Sequence, residues 1–132
     1  LMEEIVYDFQ HEKVLDGYFS TGKLNKNEFD SINKLVKKII RNPEIKQFFN
    51  SKNRVFNERE IYLDNKEVIR PDKILFHNKN EISILDYKTG IKKQQDLKQI
   101  KNYISAMKKG GYKLKQAFLV YTRDNLEIVQ LA

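Results

Sequence analysis

Apolar and polar positions along the chain change period once, near Arg54. Before it, Ile5, Val6, Phe9, Val14, Leu15 and Phe19 are mixed with charged residues in a way that predicts a helix over about 2–19. "STGKLN" reads as a loop. From Asn27 to Arg41, Phe29, Ile32, Leu35, Val36, Ile39 and Ile40 recur at helical spacing and leave a lysine-rich outer face. "RNPEIKQFF" then predicts a short helix, with Asn42 as N-cap and Pro43 in its first turn.

From Arg54 the period is that of strands. "RVFNEREIYL", "EVIRPDKILF" and "EISILDYK" are three strand-like runs separated by the turn chemistry of "DNK" and "HNKNE", which predicts an antiparallel meander. Leu97, Ile100, Ile104 and Met107 mark one apolar helical stripe, stopped by Gly110–Gly111. "LKQAFLVYT" and "LEIVQLA" are two further strands joined by a turn at Arg123–Asn125. A helix between strands favours a parallel pairing across it. The expected fold class is therefore α/β: a mixed central sheet built from a three-stranded antiparallel meander, a crossover helix and further strands, flanked by helices. No repeat or linker divides the chain, so 1–132 reads as one domain, with a helical part over 1–50 and an α/β core over 54–132.

Composition narrows the chemistry. The chain has no cysteine, which excludes a disulfide framework, a thiolate zinc site and an iron–sulfur cluster. No apolar run reaches the length of a membrane span, and no signal peptide is evident, so a cytoplasmic protein with no membrane partner is expected. A net charge of +7 points to a polyanion such as nucleic acid. The chain opens on Leu1, as a piece of a larger protein would.

The candidate chemistry lies on the meander. In "ILDYKTG", Asp86 and Lys88 fall on the same strand face as Ile82 and Ile84. Taken alone, this pair is either an ion pair at a strand end or a site. Glu58 and Asp72 fall on the two preceding runs, and neighbouring strands bring such positions together. Clustered carboxylates suit Mg²⁺ or Mn²⁺, and a nearby lysine suits the orientation of water or the stabilisation of charge on a phosphate. Arg70 is either a phosphate contact or a partner of Asp72 or Glu58. Lys92 and Lys93, just past Gly90, border the proposed site and are the lysines expected to meet a nucleic acid there. His11 and His77 read as an amphipathic-helix residue and a turn residue.

At Pro71-Asp72, then Asp86-Tyr87-Lys88, then Gln99 and Tyr103 four residues apart on the following helix, the sequence resembles the PD-(D/E)xK nuclease superfamily. The wording "RPD" and "DYKTG" is similar to the RecB-like branch, the nuclease domains that end bacterial helicase–nucleases of the UvrD/RecB/AddA type. Glu58 in "FNERE" matches an acid commonly placed on the first strand. The resemblance implies a restriction-endonuclease-like core and a Mg²⁺- or Mn²⁺-dependent deoxyribonuclease, exonuclease rather than endonuclease. It implies metal ligation by Asp72, Asp86 and the backbone carbonyl of Tyr87, with Lys88 orienting water. Gln99 and Tyr103 would contact DNA or brace the acids. The implied partners are single-stranded DNA or broken duplex ends, and a helicase domain of the same or a partner chain. One departure stands out: "LMEEI" places Glu3 where the family usually carries a metal-binding histidine, so Glu3 is a further candidate ligand. Two rival readings are a catalytically silent DNA-binding module of the same fold and a stand-alone restriction-type endonuclease.

Overall fold

A computed structural model describes residues 10–62, 66, 68–123 and 126–131, and the expected helical positions 2–9 and the candidate ligand Glu3 lie outside them. The chain forms two compact units that meet in sequence at the change of period, Leu1–Asn53 and Arg54–Ala132.

In the first unit, α1 spans His11–Ser20 and α2 spans Lys26–Arg41. α2 starts where a reciprocal cap fixes it. Asn25 Oδ1 accepts the Glu28 N–H at 2.8 Å, and Glu28 Oε1 accepts the Asn25 N–H at 3.2 Å. Val36, Ile39 and Ile40 on its apolar stripe are buried, as are Leu15, Ile45, Phe48 and Phe49. The short helix expected at "RNPEIKQFF" is instead a turn followed by a 3-10 helix over Lys46–Phe49. Asn42 Oδ1 does accept a backbone N–H, from Glu44 at 2.8 Å, but this closes a local turn rather than opening an α-helix.

The second unit is a mixed α/β layer. Its five-stranded sheet has the order β1-β4-β5-β6-β7, with β1 Arg54–Asn57, β4 Lys73–Phe76, β5 Glu81–Lys88, β6 Lys113–Tyr121 and β7 Glu127–Gln130. β1–β4, β4–β5 and β6–β7 pair antiparallel. β5 and β6 pair parallel across α3, Gln94–Lys109, as the crossover argument requires. A separate ribbon pairs β2 Ile61–Tyr62 with β3 Val68–Ile69.

Two long strand-like runs are thus each broken in two. Glu58, expected on the first strand, follows it, and its backbone sits in the left-handed region at φ +50. That conformation cannot continue a β-ladder, so the chain leaves the sheet there. Arg70-Pro71 interrupts the second run, because proline lacks the N–H a ladder needs. Asp72 accordingly lies just before β4 rather than within a strand.

The sheet faces follow the period of two. Ile82 and Ile84 of β5 are buried in one apolar cluster with Ile74, Ala117, Leu119, Ile100, Ala106 and Met107, so α3 packs on the face that carries Asp86. The helix stops at Gly110, and Gly111 adopts φ +88, which a side chain would oppose. The opposite face buries Leu75, Leu85, Phe118 and Val120, and with them Ser83 and Lys73.

A non-glycine residue in the left-handed region costs about 1 kcal/mol. Glu58→Gly is therefore expected to raise the thermal midpoint, by up to about 1 kcal/mol of stability, in a melt followed by circular dichroism. A lower midpoint would mean that the Glu58 side chain makes an interaction worth more than the strain.

Candidate active site

Topology gathers the chemistry at one edge of the sheet. β5 and β6 run parallel and end at Lys88 and Tyr121, β4 runs the other way and starts after Asp72, and α3 begins at Gln94. Carboxyl ends of parallel strands are where α/β sheets place their ligands.

Lys73 is paired in register with Leu85, so Asp72 stands opposite Asp86 just past the end of the β4–β5 ladder. There the two acids replace the ladder with side-chain bonds. Asp86 Oδ1 accepts the Asp72 N–H at 2.9 Å, and Asp72 Oδ2 accepts the Tyr87 N–H at 2.7 Å. Each carboxylate is thereby fixed against the other's strand, which holds two like charges close together. Asp86 is only 5% exposed. Burial above all, and then the charge of Asp72, push its carboxyl up from 3.8 to about 6, against the opposing effects of the Asp72 N–H and Lys88.

Lys88 lies beside this pair, with its Nζ 3.7 Å from Asp86 Oδ2. The same ammonium donates to Gln99 Oε1 at 2.5 Å, and Gln99 Nε2 donates to the Tyr103 hydroxyl at 3.3 Å. Gln99 and Tyr103 face the site together because they are one helical turn apart. Burial, followed by the charges of Asp86 and Asp72, raises the Tyr103 phenol above its ordinary range, so it stays neutral and can accept that bond. Arg70 acts in the opposite sense on Tyr103, which places its positive charge in the same neighbourhood.

The remaining expected residues are positioned differently. The Glu58 N–H donates to the Asp72 carbonyl at 2.9 Å, so its backbone borders the site. Its carboxylate is exposed and makes no hydrogen bond or ion pair among the described residues. Arg70 is exposed. Lys92 Nζ is bonded to Glu127 Oε1 at 2.9 Å, so it belongs to a surface ion pair. Lys93 is exposed at the start of α3. His77, read as a turn residue, is half-buried, and its Nε2 lies 2.7 Å from Ser83 Oγ.

Two groups escaped the sequence reading. Lys73 is fully buried, donates to Asn57 Oδ1 at 2.9 Å and is pulled down to about 7 by desolvation. Strand alternation puts it on the face opposite the acids. The only signal was a lysine inside the apolar run "DKILF". Asp96, in the first turn of α3, accepts the Tyr121 hydroxyl at 3.1 Å and the Lys93 N–H at 3.2 Å. It ties the start of the helix to the end of β6 and so sets where Gln99 stands.

The donor set fits a hard divalent cation. Mg²⁺ is typically held by one or two carboxylates, with water and phosphate oxygens completing its shell. Asp72 and Asp86 supply that pair. Among the described residues no group of three or more histidine, cysteine, aspartate or glutamate side chains converges. No protein-family model matches the chain, and no curated protein matches it. Among the described residues no helix is long and apolar enough to cross a membrane.

The raised carboxyl has a thermodynamic consequence in the absence of metal. The folded state holds the Asp86 proton more tightly than the unfolded state, so stability increases as pH falls from about 6 towards 4 and is lost as pH rises through that window. Asp86→Asn keeps an oxygen for the Asp72 N–H and removes the charge. In EDTA at pH 7 it is expected to be more stable than wild type by on the order of 2 kcal/mol, with a flatter pH profile between 4 and 6. Urea melts across that range measure both, and a destabilised Asp86→Asn would mark Asp86 as a structural ion-pair member.

Proposed function

We propose that the chain is a metal-dependent DNA nuclease domain of the PD-(D/E)xK type, RecB-like, which hydrolyses phosphodiesters as part of a helicase–nuclease acting on single-stranded DNA or broken duplex ends in the cytoplasm. The observation that carries the reading is the juxtaposition of the braced Asp72–Asp86 pair with Lys88. Two fixed carboxylates and one ammonium, reached from adjacent strands at a sheet edge, are the parts that metal-assisted phosphodiester hydrolysis requires.

In this reading Asp72 and Asp86 hold Mg²⁺ or Mn²⁺, with the Tyr87 carbonyl as a further ligand. When bound, the ion supplies Lewis-acid polarisation of the phosphate and a lowered pKa for the attacking water. Lys88 orients that water and offsets the charge that develops on the phosphate oxygens. Gln99 holds the ammonium in place by accepting one of its three N–H bonds, and Tyr103 in turn anchors the Gln99 amide. Arg70 and Lys93, both exposed near this edge, serve as phosphate contacts. Such contacts carry no sequence information, so binding follows salt concentration rather than base sequence.

Cleavage of labelled single- and double-stranded DNA with and without Mg²⁺ tests the proposal. Wild type is expected to degrade DNA only with metal. Lys88→Ala should lose about 10²–10³-fold in rate while keeping the wild-type circular dichroism spectrum. Metal-independent cleavage, or an active Lys88→Ala, would refute it. Salt-sensitive binding without any cleavage would identify the silent DNA-binding module instead.

A further inference from the structure

In the second unit, the large apolar side chains left exposed among the described residues are Tyr62, Val68 and Ile91. Two of them meet. Tyr62, 74% exposed, and Val68, 48% exposed, are direct cross-strand partners in the β2–β3 ribbon. Their neighbours Ile61 and Ile69, also partners, are buried in the core cluster. The ribbon therefore has an inner face that anchors it and an outer face made of an aromatic ring beside a branched aliphatic side chain. A free two-stranded ribbon is marginal in water, so the inner pair is what holds the outer pair in place.

The ribbon also grows out of the candidate centre. The chain leaves the five-stranded sheet at Glu58 and rejoins it after Asp72, and the Glu58 N–H to Asp72 carbonyl bond at 2.9 Å clamps these two points together. Arg59 and Arg70, both exposed, stand at the two ends of this excursion. The Tyr62 hydroxyl donates to Glu60 Oε2 at 2.7 Å, which restrains the ring at its polar edge. An exposed aromatic on a ribbon that carries Arg70 at one end and, at the other, Arg59 with its guanidinium 4.3 Å from the Phe56 ring centroid, on a chain of net charge +7, matches single-stranded nucleic acid: bases stack on the ring while the positive charge at the ribbon's root attracts the phosphates.

We propose that Tyr62, backed by Val68, is a stacking platform for an unpaired base of single-stranded DNA bound at the candidate site. The proposal takes the DNA substrate from the nuclease reading, but its own test is binding, not cleavage. Stacking on this face requires a base already out of its duplex, so the platform favours single strands and frayed ends over intact duplex.

Anisotropy of a labelled oligothymidylate in EDTA, at low salt and with the whole chain, provides the test. Tyr62→Ala is expected to weaken binding about tenfold, and Tyr62→Phe to bind like wild type. An abasic oligonucleotide of equal length should bind wild type and Tyr62→Ala alike. Equal affinity of wild type and Tyr62→Ala for oligothymidylate would overturn the proposal and leave the patch as a surface for a protein partner. An equal loss on the abasic strand, or no binding by wild type, would also overturn it. Hydrolysis of bis(p-nitrophenyl) phosphate with Mn²⁺ tests the centre separately. Tyr62→Ala should match wild type there, and a wild type that hydrolyses nothing removes the nuclease reading while the binding comparison still decides the platform.

Discussion

The site depends on two hydrogen bonds that replace a β-ladder. Where β4 begins and β5 is about to end, Asp72 and Asp86 each accept a backbone N–H from the opposite strand segment, at 2.7 and 2.9 Å. Without them, two carboxylates this close would swing apart into solvent. With them, both acids are held in place, and burial above all, then the charge of Asp72, raises the Asp86 carboxyl to about 6 in a residue almost without solvent contact. In the proposed reading, a cation held between the two acids would offset their like charge and return the stability that burying Asp86 costs.

The rest of the second unit serves this geometry. The buried Ile82 and Ile84 fix which way Asp86 and Lys88 point, since residues two apart share a strand face. α3 packs Ile100 and Met107 on the same face and presents Gln99 to Lys88. Asp96, bonded to Tyr121, pins the first turn of that helix to the end of the strand paired with β5. The ammonium is thus held from two sides, by a carboxylate and an amide, and the amide by a phenol.

Strong periodicity made the α/β class, the parallel β5–β6 pairing across α3 and the α2 helix legible in the sequence. What could not be read was where strands end. Nothing in "RVFNEREIYL" announces that Glu58 turns left-handed, because glutamate is not a residue that prefers that region, and the run passes for one strand. The shared face of Asp86, Ile84 and Lys88 followed from alternation alone. The mutual bracing of Asp72 and Asp86 did not, since it arises from register between segments distant in sequence. Lys92 looked like a free cation at the site's border, but its partner Glu127 lies on the last strand, brought near only by the fold.

The central claim is that Asp72 and Asp86 together seat a divalent cation, and crystals grown with Mn²⁺ test it most directly. Anomalous scattering at a wavelength where manganese contributes is expected to give its strongest peak between the two carboxylates, within ligand distance of both. The peak should vanish in Asp86→Asn. Density at other surface carboxylates, with none between Asp72 and Asp86, would contradict the account.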